Sequence, residues 1–284
     1  MHEVETLLTG YGLVEGPVWD GDGLLFTDVP NGGLHRLDTD GSVSTVLPHR
    51  RGMGGVALHA AGGYVVSGRN VAYKTPGTTT VLLEPGDGHT GRSYNDLGTD
   101  SAGRVYVGSL EFDPLTPGAD GPHGELYRIE LDGSVTTLAD DVALSNGLAV
   151  SPDERSLYHS DSRRGLVWRY ALDASGEVTG RSVLAEFAGG TPDGLAVAAD
   201  SGVWIALARG GVVAVVEADG TRRTDIPMPV PMVTSVCFGG TGLTDLYIVT
   251  GPEGAPQEVG GGVYRLAGAG PGHPVPLARV RREG

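Results

Sequence analysis

Paired cysteines, basic charge, long apolar runs and helical periodicity are all scarce or missing in this chain, and each shortage removes a class of protein. Cys237 is the only cysteine, so no intramolecular disulfide can form and stability must come from packing. It lies in the apolar run Val236-Cys237-Phe238 and reads as a small buried hydrophobe. No stretch approaches the length of a membrane span, and Met1–Leu8 has neither the basic nor the apolar segment of a signal peptide. A cytoplasmic protein with no membrane partner is the expectation. Lys and Arg total 20 against 35 Asp and Glu, a net charge of −15. Such a field repels nucleic acid and anionic membranes and attracts cations. Aromatic residues make up only 6%, and Trp19, Trp168 and Trp204 sit in strand-like runs that read as core.

What the chain has in quantity is punctuation. Glycine reaches 48 and proline 18, yet hydrophobic residues still form 39% of the 284 residues, which describes a packed, turn-rich protein. The expected organisation is a single domain over residues 1–284. Short runs such as Gly23-Leu24-Leu25-Phe26-Thr27, Arg104-Val105-Tyr106-Val107-Gly108 and Gly202-Val203-Trp204-Ile205-Ala206 read as strands. Third strands end in Asp-Gly, at Asp40-Gly41, Asp132-Gly133 and Asp219-Gly220, a favoured hairpin pair leading into a fourth strand. The unit restarts near Glu15, Gly54, Asn95, Asn146, Asp193 and Thr234, about every 40 to 50 residues, as propeller blades do. An all-β, six-bladed β-propeller with four antiparallel strands per blade follows. The segment Val4–Leu8 is placed to pair with the last blade and close the ring.

The starts of the units carry the chemistry. Glu15-Gly16-Pro17-Val18, Asn95-Asp96-Leu97-Gly98, Asn146-Gly147-Leu148-Ala149 and Asp193-Gly194-Leu195-Ala196 resemble one another. Each puts an oxygen-bearing side chain where the innermost strand enters the central channel. Singly, such residues more often serve as turn formers; their equivalence across blades argues for a site. Glu15, Asn146 and Asp193 are hard oxygen donors suited to one divalent cation, Ca²⁺ first, then Mg²⁺ or Mn²⁺, with Zn²⁺ less suited. Asn95, water or a substrate oxygen would complete the shell. A cation there polarises an ester or lactone carbonyl, and Asp193 is the candidate base that takes a proton from water. No Gly-x-Ser-x-Gly elbow, His-Glu-x-x-His pair or Walker loop competes. His89 and His123 are placed to line a pocket mouth, although loop histidines more often have no catalytic role.

These motifs, with Asp100-Ser101-Ala102-Gly103-Arg104, Ser160-Asp161-Ser162 and Thr234-Ser235-Val236-Cys237-Phe238-Gly239-Gly240, resemble the SMP-30/gluconolactonase/LRE-like family of six-bladed propellers over nearly the whole chain. The resemblance implies a metal on Glu15, Asn146 and Asp193, Asn95 beside metal and substrate, and lactone hydrolysis with Asp193 as base. It also implies substrate contacts near Arg92, Ser93 and Tyr94, and at Glu111 or Asp113. Family members acting on sugar lactones often carry Arg where this chain has Ser93; Arg92 is one step earlier and faces the other way on an extended chain. The expected partner is a small molecule, and no pattern specifies an oligomeric state. Alternatives are isomerase or lyase chemistry on a specialised metabolite, and a propeller that binds a cation or small ligand without turnover.

Overall fold

The computed structural model describes residues 3–86, 91–116 and 118–281. Among them, 24 strands form six four-stranded antiparallel sheets arranged as the blades of a propeller. Innermost strands are Val14–Trp19, Val56–Leu58, Ser93–Thr99, Ser145–Val150, Thr191–Val197 and Val233–Gly239 for blades 1 to 6. Blade 6 takes its outermost strand, Val4–Tyr11, from the start of the chain, where it pairs with Gly261–Leu266. The ring is thereby closed by hydrogen bonds between the two ends of the propeller, and no blade is left to open as a free edge.

Position within a blade decides each strand's composition. Second strands such as Val105–Leu110 and Val203–Ala208 are buried at every residue, because a neighbouring blade covers each face, so both faces must be apolar or small. The outermost strand Arg222–Pro227 is exposed at nearly every position. Each Asp-Gly hairpin is built alike: the Asp carboxylate accepts the N–H two residues on, at 2.9 Å for Asp40, 2.9 Å for Asp132 and 2.8 Å for Asp219. The following glycine takes φ of 87°, 89° and 92°, a conformation costly for any other residue. Six apolar clusters fill the six interfaces between adjacent blades, with Cys237 in the cluster joining blades 6 and 1.

Two ends of the axial channel differ. The end where the innermost strands begin is called here the mouth. At the other end the segment 270–281 crosses the ring. His273 N–H donates to Val197 O (2.9 Å), Ala278 N–H to Leu58 O (2.8 Å) and Arg279 N–H to Gly103 O (2.8 Å). Thr99 Oγ1 donates to Pro276 O at 2.6 Å, so this one segment ties blades 2, 3 and 5 together. No described helix is long and apolar enough to cross a membrane.

Candidate active site

The candidate ligands are turned toward the channel axis by a repeated irregularity. In blades 1, 3, 4 and 5 the pairing of the innermost strand with the second strand slips by one residue: between Glu15 and Val18, Tyr94 and Leu97, Ser145 and Leu148, and Pro192 and Leu195. A β-bulge there places two residues opposite one and swings a side chain out of the sheet's alternation. Glycine follows three of the four ligand positions because the next blade is in contact. A Cβ on Gly147 would stand 2.6 Å from Asp193 O, and one on Gly194 would stand 1.9 Å from Ser235 Oγ. The ligand–glycine pair is therefore the local solution for innermost strands packed backbone to backbone.

The side chains meet in the hub. Asn95 Nδ2 donates to Asn146 Oδ1 (2.8 Å) and to Ser145 O (3.0 Å). Asn146 Nδ2 donates to Ser162 Oγ (3.0 Å), whose hydroxyl donates to Pro192 O (2.6 Å), next to Asp193. Both amides are thus held with their N–H groups turned into the protein. Asn95 Oδ1 lies 2.1 Å from where a Cβ on Gly54 would be, so the bare glycine that starts blade 2 makes room for it. Behind Asn146, the buried Ser145 hydroxyl meets His159 Nε2 at 2.8 Å. Thr234, the blade 6 counterpart, donates to Val14 O at 2.6 Å and ties blade 6 to blade 1.

Electrostatically the hub is unbalanced. Glu15 and Asp193 are 7% and 6% exposed, and their Oε2 and Oδ1 atoms are buried without a hydrogen-bond partner. Burial first, then the charges of Asp193 and Asp96, push the Glu15 carboxyl well above its usual range. Burial and Asp96 do the same to Asp193, opposed by the Gly194 N–H and by Arg209. Burial alone pushes Asp96 up to about 7. Three buried carboxyls with no buried cation among them are costly, and buried carboxylate oxygens without a donor are what a bound cation would satisfy. Among the described residues no three His, Cys, Asp or Glu side chains gather into a chelating cluster. Any metal shell at Glu15 and Asp193 therefore depends on the amide oxygens, a hard, all-oxygen set that suits Ca²⁺, Mg²⁺ or Mn²⁺.

Beyond the hub, the residues divided. Ser93 and Asn95 are half-buried at the mouth end of blade 3. Glu111 accepts from Ser109 Oγ at 3.3 Å just above them. Arg92 and His123 are exposed on mouth-side connections, and Asp113 is exposed and spent on capping its own turn at Leu115 and Thr116. Tyr94 does not reach the mouth. It is 1% exposed and packs in the blade 2–3 interface, its ring 6.3 Å from that of Tyr127, because residues 93 and 95 take the channel side and the one between must point the other way. His89 lies outside the described residues. A largely apolar cavity of about 130 Å³ fills the channel beneath the ligands, with Asp96 its one acid and His273, Val275 and Pro276 at its floor. None of Glu15, Asn95, Asn146 or Asp193 lines it.

The SMP-30/gluconolactonase/LRE-like family model matches residues 13–251. The chain belongs to this family. Its relatives include a 6-deoxy-6-sulfogluconolactonase of Pseudomonas putida, 37% identical over 87% of this chain and 86% of its own. A pentonolactonase of Haloferax volcanii is 32% identical over 96% and 97%. Among solved structures, a luciferin-regenerating enzyme superposes with a TM-score of 0.87 at 25% identity, over 99% of this chain and 100% of its own.

Two residues of this family member's candidate site escape a reading of its repeats. Asp96 occupies the position where the other three motifs carry Gly16, Gly147 and Gly194, and that substitution of an acid for a glycine was its one visible signal. Ser162 holds the Asn146 amide from another strand; its run Ser160-Asp161-Ser162 is visible in the sequence, but the contact it makes is not.

Proposed function

We propose that the protein is a lactonase that holds one divalent cation, Ca²⁺ first, on Glu15, Asn146 and Asp193. The single observation that carries this is the pair of orphaned, buried carboxylate oxygens on Glu15 and Asp193 in a hub that lacks a counter-charge; the named activities of the family relatives support it. When bound, the cation supplies positive charge to polarise an ester carbonyl. The remaining work belongs to the chain. Asn146 is oriented by Ser162, and Asn95 presents its oxygen toward blade 2 while its N–H groups are committed. Asp193 would accept the proton of the attacking water through the carboxylate oxygen not used for the cation. Half-buried Ser93 and Glu111 are the nearby polar groups for ring hydroxyls.

The test is a panel of sugar lactones assayed before and after exhaustive chelation, with hydrolysis verified by incorporation of labelled solvent oxygen into the acid. Ring opening should be lost with the metal and restored by Ca²⁺, Mg²⁺ or Mn²⁺. Asp193→Asn should lower kcat by about a hundredfold or more. Turnover that survives chelation, or a product without solvent oxygen, rejects the proposal.

A further inference from the structure

We infer that Arg209 selects lactones bearing a negatively charged substituent, a carboxylate, sulfonate or phosphate ester, by pairing with that group at the channel mouth. The inference rests on the lactonase reading of the hub.

Arg209 is the first residue after the second strand of blade 5, Val203–Ala208, which pairs with the strand carrying Asp193. It lies close enough to Asp193 for the two charges to act on each other. Its backbone is in the left-handed region, with φ of 62°, and Gly210 and Gly211 follow immediately. The short turn joining Val203–Ala208 to Val212–Val216 calls for a positive φ here, as the turns at Glu154 and Ser201 do, and so fixes where the side chain leaves the backbone. The conformation sends the side chain toward blade 6, where Nε and Nη2 meet Glu253 Oε1 and Oε2 at 2.7 and 2.8 Å. That fork fixes the guanidinium plane and leaves Nη1 without a partner among the described residues. The pair is solvent-exposed, with side chains 61% and 54% accessible, so it contributes little to stability and its cation is open to a third group.

Among the other mouth arginines, Arg163 is stacked 4.9 Å from the Phe112 ring and paired with Asp120, and Arg164 is paired with Asp161. Arg51, Arg69 and Arg92 are exposed on connections of blades 1 to 3, and of all the mouth arginines only Arg209 acts on Asp193. Exposed acids stand at both ends of the channel, Asp22, Asp40, Asp132, Asp173 and Asp219 in turns at the far end and Asp113, Asp120, Glu186, Glu253 and Glu258 at the mouth. An anionic lactone approaching the mouth also faces the hub carboxylates, and a fixed cation beside Asp193 offsets that repulsion on the side where the substrate must sit.

Steady-state kinetics on matched lactones tests this: gluconolactone against its 6-phospho, 6-sulfo and uronic analogues, with calcium present. Wild type should favour the charged members by about tenfold in kcat/KM, less so at high salt. Arg209→Ala should erase that preference, chiefly through KM, and change the neutral lactone less than about threefold; Arg209→Lys should restore part of it. The analogue most affected identifies the anion. Unaltered circular dichroism of the variant shows that it folds. Equal loss on charged and neutral lactones, or no preference in wild type, overturns the inference while leaving lactone hydrolysis intact. If wild type opens no lactone, the lactonase reading fails and calorimetric binding of 6-phosphogluconate and gluconate decides: phosphogluconate bound about tenfold more weakly by Arg209→Ala supports Arg209, and equal or absent binding overturns it.

Discussion

Asp96→Asn should stabilise the metal-free protein and weaken its hold on a cation at the same time. Burial raises the Asp96 carboxyl from an ordinary 3.8 to about 7. Between those values the folded protein keeps a proton that the unfolded chain has released, so stability falls as pH rises through the window. Above the folded value the full cost is about 4 kcal/mol, which for a chain of this length is roughly 7 °C in Tm. Asn carries no charge at any pH and escapes the loss. Chelated wild type and variant, followed by scanning calorimetry, should melt together at about pH 4 and separate toward about pH 8, with the variant higher. His159 acts in the opposite sense: burial lowers its pKa to about 4, so its contribution is full above about 6.5 and fades as pH falls toward 4. Both proteins share that contribution and it cancels in the difference. Saturating calcium should favour the ionised Asp96 and hence raise wild type more than the variant. Equal Tm of the chelated pair at about pH 8 would refute the view of Asp96 as an uncompensated buried charge.

Glu15→Gln and Asp193→Asn should each abolish the Tm rise that calcium gives wild type, about 3 kcal/mol or roughly 5 °C at a hundredfold excess over Kd; an intact rise in either would remove that residue from the shell. Ser162→Ala leaves the Asn146 amide N–H and Pro192 O unpaired, and should weaken calcium binding at least about tenfold by titration calorimetry. Gly194→Ala would drive a methyl into Ser235 and should cost about 1–3 kcal/mol in urea melts. A chain ending at Gly270 loses the buried Val280, worth about 1.5–3 kcal/mol by itself, and should melt lower while keeping its β circular dichroism; an unchanged Tm would show that the crossing segment does not tie the ring.

The ring was legible because propeller blades repeat their chemistry as well as their spacing. Asp40-Gly41, Asp132-Gly133 and Asp219-Gly220 announce the same hairpin three times, and the structure builds them identically. Val4–Leu8 was readable as the closing segment because pairing it with the last blade leaves few free edges, and the strand found there runs on to Tyr11. The place of Tyr94 was harder to read: neighbours on a strand face opposite sides, and the Tyr127 ring it packs near belongs to a strand far along the sequence. Segment 270–281, with Pro271, Pro274 and Pro276, has no strand pattern, and only its hydrogen bonds to three separate blades reveal its work.

The similarity of the four motifs has one physical origin, and it accounts for both the glycines and the charge. Backbone contact between neighbouring innermost strands demands a residue without a side chain just inside the channel, which Gly147 and Gly194 provide. The bulge that accommodates this contact also turns the preceding side chain to the axis. Where that side chain is an amide, its N–H groups can be satisfied by the next blade, as Asn95 and Asn146 show. Where it is a carboxylate, one oxygen on each, Glu15 Oε2 and Asp193 Oδ1, stays without a donor. A ring that orients its amides through neighbouring blades and leaves its carboxylates unmatched is selecting for positive charge at its centre, and Asp96, added where a glycine would have sufficed, deepens that demand.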